Sequence, residues 1–263
     1  MRREDPPAVP QLALPVAVPT HMAVTAQNSD SHEEQAIGDL SLVGFYYLLR
    51  VGEYTRPRFT KINGRRVRAT RTVQFCVKDV GFFKDNKILP RRSTLRNLLL
   101  ADQATLKITN QKNGRMGETI THETIQNESH GPVTALARRV HHILDNGGNE
   151  ETLLCDYLDD DGNWTSVTAS QMRSAVRASV KTLELHKNGI DPDLVGVHSL
   201  RAGGAMALKL QGVSDTTIKK QGRWTSMTFL QYIHNQIAHL SKDLSTKMST
   251  NLTFINVASI EQY

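Results

Sequence analysis

The chain has 263 residues, enough for one large domain or two small ones with a substantial core. Its 32 Lys and Arg outnumber 26 Asp and Glu for a formal net charge of +6, and its two cysteines, Cys76 and Cys155, form no CxxC pair. That excludes a disulfide framework or a cysteine zinc site and suits a reducing compartment. No run of eighteen apolar residues exists to span a membrane, and the prolines and acids of MRREDPPAVPQLALPVAVP spoil a signal peptide.

Residues 1–30 are Pro-rich, then polar, without sustained periodicity, and read as a disordered leader. Order is expected from Ser31, which has capping-box spacing to Glu34. Ala36, Ile37, Leu40, Val43, Tyr47 and Leu48 then make a largely buried helix. At its end Arg50 and Glu53 are three apart, the spacing of an intrahelical ion pair. Arg56, Arg58, Lys61, Arg65, Arg66, Arg68 and Arg71 follow within sixteen residues that contain no acid. Such a run is either a solvated loop or a surface for a polyanion, and phosphate neutralisation favours the second.

TVQFCVKDVGFF, residues 72–83, is rich in β-branched and aromatic residues and reads as a strand, followed by a basic loop and a short helix near Leu95 to Leu100. Leu106, Ile108 and Ile120 alternate with polar residues around Asn113-Gly114 and Gly117, a hairpin with Lys112 at its tip and Lys107 on its first arm. Pro132 to Leu144 is a helix with Val133, Leu136, Val140 and Ile143 facing in. The acids from Glu150 to Asp161 do not make a calcium loop: counted from Asp159, position six is Trp164 and position twelve is Ser170, so a surface turn suffices. Thr168 and Gln171 form a second capping box for a helix with Met172, Val176, Val180 and Leu183 on one face and Gly189 after it.

The span GVHSLRAGGAMALKLQGVSDTTIKKQGRWTSMTFLQYIH, residues 196–234, carries the densest chemistry. With a helix starting near Ser199, His198 and Arg201 share a face at its positive end, where an anion is favoured. Gly203 and Gly204 are thin positions that let another backbone or a ligand come close. Ser214 caps a short helix that Gly222 ends. A last helix buries Phe229 or Leu230, Ile233, Ile237 and Leu240, leaving Tyr232 on the polar side with Thr228, Asn235, Gln236 and His239. The elements together make a mainly α chain with a small antiparallel β-sheet, an α+β fold.

HSLRAGGA, then GRW, then a tyrosine 31 residues after Arg201 resembles the C-terminal half of the tyrosine recombinase, or phage-integrase-like, family. GRWTSMTFLQYIH looks most like the recombinases of the Crypton and DIRS-type eukaryotic mobile elements. The resemblance covers about residues 35–245 and implies a catalytic domain over 31–245, with a tail, 246–263, that docks on a neighbouring subunit. It implies that Arg50, in an Arg-x-x-Glu box completed by Glu53, and Arg201 grip the scissile phosphate. Tyr232 would attack phosphorus to give a 3′-phosphotyrosine, His198 would help move the proton, and Lys112, or less favourably Lys107, would protonate the leaving 5′ oxygen. The third polar contact falls on Arg223 by the family's spacing of nine before Tyr232, or on Trp224 by chemistry.

No cofactor and no metal are implied, because the covalent link keeps the phosphodiester energy. The partners implied are double-stranded DNA and further copies of the chain on it, with no membrane and no small-molecule substrate. A nuclear location follows from the element type. The family usually carries a helical clamp domain before the catalytic one, so the sequence also reads as a fragment or a domesticated descendant. Two further readings stand beside the recombinase or integrase: a DNA-binding protein that no longer cuts, and a DNA-relaxing enzyme of the type IB topoisomerase kind.

Overall fold

The computed structural model describes residues 12–69, 72–108, 117–126, 128–226 and 230, apart from the side chain of Arg66. In chain order the elements are α1 (Ala17–Gln27), α2 (His32–Tyr46), β1 (Phe59–Ile62), β2 (Arg65–Arg68), β3 (Val80–Lys84), β4 (Lys87–Leu89), α3 (Leu95–Leu98), β5 (Gln103–Lys107), β6 (Thr119–Glu123), α4 (Pro132–Asp145), β7 (Asp156–Leu158), β8 (Trp164–Ser166), α5 (Ala169–Thr182), α6 (Val197–Leu210) and α7 (Asp215–Gln221). This is an α+β architecture. An antiparallel sheet of order β4-β3-β5-β6 packs on a helical body, and two separate hairpins, β1-β2 and β7-β8, complete the strands.

Helix α2 is the spine. Every residue from Ala36 to Phe45 is buried, because α1, α4 and α6 all pack against it. The Ser31 Oγ accepts from the Glu34 N–H at its start, as the capping spacing predicts. Helix α4 begins on Pro132, whose missing N–H costs nothing there, and α5 begins on the full Thr168–Gln171 capping box.

The glycine pair of α6 explains how the body closes. A Cβ on Gly203 would lie 2.0 Å from the Leu14 carbonyl oxygen, and one on Gly204 would lie 2.3 Å from that of Phe45. Two backbones therefore run against α6 at consecutive residues, as expected of thin positions.

Three expectations need correcting, and two further segments take a more definite form. The disordered leader is wrong from Leu12 onward. Leu12 and Leu14 donate backbone hydrogen bonds to Leu194 and Ser199, and α1 buries Val18, Met22, Ala23 and Ala26. Pro19 sits within the first turn of α1, where proline starts a helix rather than breaking it. The strand expected over Thr72–Phe83 exists only from Val80. Before it, Asp79 accepts from the Cys76 N–H at 2.8 Å and closes a 3-10 turn over Val77–Asp79, a local bond that competes with the ladder.

The basic run after Arg56 forms a hairpin, β1-β2. Asn63 and Gly64 at its tip have φ of +50° and +74°, the two left-handed residues of a type I′ turn. The acidic stretch also holds a hairpin, β7-β8, whose tip acid Asp159 accepts the N–H groups of Asp161 and Asn163 at 3.1 and 2.7 Å. Finally, α6 starts at Val197, two residues earlier than expected, with the Ser199 Oγ accepting from the Gly196 N–H.

Candidate functional site, an arginine-lined cleft

The chain leaves α2 through Leu48, a left-handed residue at φ +48°. That turn aims the Leu48 carbonyl at two guanidinium groups: Arg201 Nη1 donates to it at 2.6 Å and Arg223 Nη2 at 3.2 Å. The next turn, a 3-10 turn over Val51–Glu53, folds Glu53 back beneath Arg50. The buried Glu53 carboxylate accepts from the Arg50 N–H at 2.8 Å and from Arg50 Nη1 at 3.2 Å. Arg223 grips it bidentately, Nη1 to Oε1 at 3.0 Å and Nη2 to Oε2 at 2.9 Å. Burial pushes Glu53 up, but Arg223, the Arg50 N–H and the charge of Arg201 outweigh it and hold the carboxyl below its ordinary value.

Arg201 comes from the first turns of α6 and Trp224 from just beyond α7. The Arg201 guanidinium donates to the Gly222 carbonyl and lies over the Trp224 ring, 4.3 Å from its centroid. Gly222 makes room for that ring, since a Cβ there would stand 1.7 Å from it.

Arg50, Arg201 and Trp224 from this arrangement reach a cleft of about 660 Å³. Arg50, Arg56, Arg58, Arg173 and Arg201 line it together with His198, Gln74, Thr168, Ser170 and Trp224, and among the described residues no carboxylate lines it. Five guanidinium groups, Arg50 also paired beneath the cleft with Glu53, make a site suited to a polyvalent oxyanion. His198 opens to this cleft. Its partial burial, then the charges of Arg201, Arg173 and Arg58, push it below the usual histidine range. At neutral pH it is therefore an uncharged imidazole, able to accept a proton or a hydrogen bond from a hydroxyl group.

Of the residues singled out in the sequence, the cleft gathers Arg50, Arg56, Arg58, His198, Arg201 and Trp224. Arg223 is not in its wall; it lies 2% exposed behind Arg50, clamped on Glu53. Lys61, Arg65 and Arg68 lie on the β1-β2 hairpin, and Lys107 is exposed at the end of β5, outside the cleft. Arg71, Lys112 and Tyr232, with the last helix and the tail, fall outside the described residues.

The sequence reading missed Arg173, Thr168 and Ser170. All three stand at the start of α5, and the signal was present: Arg173 follows the capping box as an exposed cation in the first turns of the helix.

One further histidine braces this arrangement. His122 on β6 meets Gln221 of α7 at 3.1 Å and packs edge-on against Tyr47, with ring centroids 4.6 Å apart. Burial lowers it to about 4. Its folded value lies below the unfolded one, so between pH 6.5 and 4 the unfolded chain takes up a proton the folded chain refuses. Stability should fall with acidification across that window by at most about 1.4 kcal/mol per pH unit for this group. Thermal melts from pH 7 to 4 should show that fall, and a His122→Gln variant should show a shallower one.

No family model matches the sequence, and no curated protein matches it. Among solved structures, the chain is similar to the Tn1549 transposon integrase in complex with transposon right-end DNA. The TM-score is 0.45 at 14% identity, over 93% of this chain and 67% of that one. A second structure of that integrase, in complex with circular-intermediate DNA, gives a TM-score of 0.44 at 14% identity, over 93% of this chain and 68% of the other.

Proposed function

We propose that the chain is a DNA breaking and rejoining enzyme of the tyrosine recombinase kind, a recombinase or integrase of a mobile element close to the Crypton and DIRS-type groups. The observation that carries the reading is the cleft. Arg50 and Arg201, 151 residues apart, line it together, with His198 beside them and no carboxylate in its wall among the described residues. One phosphodiester fits that chemistry: two guanidinium forks on its non-bridging oxygens stabilise the extra negative charge of a pentacoordinate phosphorus.

In this reading the Tyr232 oxygen forms a bond to phosphorus as the bond to the 5′ oxygen breaks. The uncharged His198 helps take the tyrosine proton, and Lys112 gives a proton to the departing 5′ oxygen. The product is a 3′-phosphotyrosine and a free 5′-hydroxyl; attack by a hydroxyl of another strand reverses the step. The reading carries with it action as several copies on DNA and a nuclear location.

The test is covalent trapping on nicked DNA substrates drawn from a pooled sequence library, with the protein and its Tyr232→Phe variant. An adduct that survives denaturation and is missing from the variant is the expected result. Salt-dependent DNA binding without any adduct would overturn the cutting enzyme in favour of a DNA-binding protein that no longer cleaves.

A further inference from the structure

Beside the cleft stands a feature that phosphate chemistry alone does not use. The β1-β2 hairpin pairs Phe59 with Arg68, Thr60 with Val67 and Ile62 with Arg65, and its two strands join no other strand among the described residues. Every residue of β1 is exposed. Phe59 is 42% exposed and Ile62 57%, on an arm that otherwise presents Lys61, Arg65 and Arg68. Near the tip the exposed Ile62 stands next to Lys61 and across from Arg65, an apolar contact set among cations.

The arm's root is fixed. Ala69 donates to the Arg58 carbonyl at 2.8 Å and Arg56 to that of Val167 at 2.7 Å. Arg68 Nη1 donates to Gln74 Oε1 at 3.0 Å, and Gln74 Nε2 to the Gly52 carbonyl at 2.8 Å, within the turn that folds Glu53 under Arg50. Arg56 and Arg58 at this root also line the cleft. The arm therefore leaves the cleft in a set direction.

We propose that the β1-β2 hairpin is a major-groove reader that contacts base edges beside the phosphate held in the cleft. This rests on the recombinase reading above and adds to it the element that chooses the DNA sequence. The major groove of B-DNA admits a two-stranded β-ribbon and is about 8.5 Å deep. Four strand residues reach about 14 Å, so the arm spans that depth. Charge complementarity draws the ribbon to the duplex. Near the tip, Lys61 and Arg65 are suited to guanine O6 and N7, and Ile62 to a thymine methyl. From Arg58 to Asn63 the chain extends about 17 Å, which places the bases read within about five base pairs of the cleft phosphate.

The experiment is selection from a randomised duplex library, run with the full chain and with a triple variant, Lys61→Ser, Ile62→Ser and Arg65→Ser. All three side chains are exposed, and the variant leaves the Asn63-Gly64 turn and the cleft untouched. The wild-type chain should enrich a block of base pairs with about five- to hundredfold discrimination at each position. The variant should keep its melting temperature and bind bulk DNA within about tenfold, yet lose that block. Enrichment of the same block by both proteins, or DNA binding by the wild type without any preferred block, would overturn the proposal while leaving the recombinase reading intact. Failure of both proteins to bind DNA would overturn the recombinase reading, and the arm's role with it.

Discussion

Glu53→Ala is expected to lower the unfolding free energy by about 3–5 kcal/mol, the range for breaking a buried ion pair from one side. The loss comes less from the missing bonds than from what remains. Arg223, 2% exposed, would keep its charge with, among the described residues, only the Leu48 carbonyl as a partner for its terminal nitrogens and no partner for its Nε. For a domain of this size that is a fall in melting temperature on the order of 10 °C. Arg50→Ala should cost much less, because that side chain is 22% exposed and the Glu53 carboxylate left behind keeps its bidentate bond to Arg223.

The pH dependence has a definite sign. Glu53 is held below its ordinary value, so its contribution is full above about pH 4.5 and is lost as pH falls through the lowered folded value. A thermal melt of the alanine variant that matched the wild type would mean that the clamp does not support the fold.

Arg201→Lys is expected to slow covalent adduct formation about a hundredfold, the usual effect of removing one preformed donor from a site that stabilises developing negative charge. The substitution keeps the charge and discards the geometry. Arg201 donates in two directions, to Leu48 and Gly222, while its flat face lies on Trp224, and an ammonium group cannot do all three. Equilibrium DNA affinity should change less than about tenfold, because the number of cations facing the duplex is unchanged. Single-turnover trapping and binding measured across a salt series separate the two effects. An unchanged trapping rate with a lowered melting temperature would make Arg201 a structural strut instead of a phosphate contact.

What could be read from the sequence was whatever depends on short spacing. The N-cap at Ser31, the capping box at Thr168, the apolar faces of α4 and α5, and the Ser214-to-Gly222 helix are each written within a few turns, and the structure contains them. The glycine pair was legible as a place of close approach, though not what approaches: Leu14 and Phe45 belong to segments more than 150 residues away.

What escaped had weak or distant signals. The inward side of α1 is made largely of alanine, valine and methionine following a Pro-rich stretch, which looks like linker composition until α2 is there to bury it. The β1-β2 arm lacks the apolar alternation of a strand because it has no buried face; only Asn63-Gly64 marked its turn. The Arg223–Glu53 clamp joins residues 170 apart, and no local pattern reports such a pair, so spacing alone could not decide between Arg223 and Trp224.

That same clamp sets an order of events during synthesis. Chain growth proceeds at about 5–20 residues per second, so Glu53 emerges on the order of 10 to 30 s before the arginine that neutralises it is made. Until then its carboxylate has only Arg50 as a charged partner at this turn, and the Leu48 carbonyl waits for both of its guanidinium groups. The nascent chain thus carries an acid where the finished protein carries an anion trap, and the cleft becomes electrostatically competent only when translation has passed residue 223.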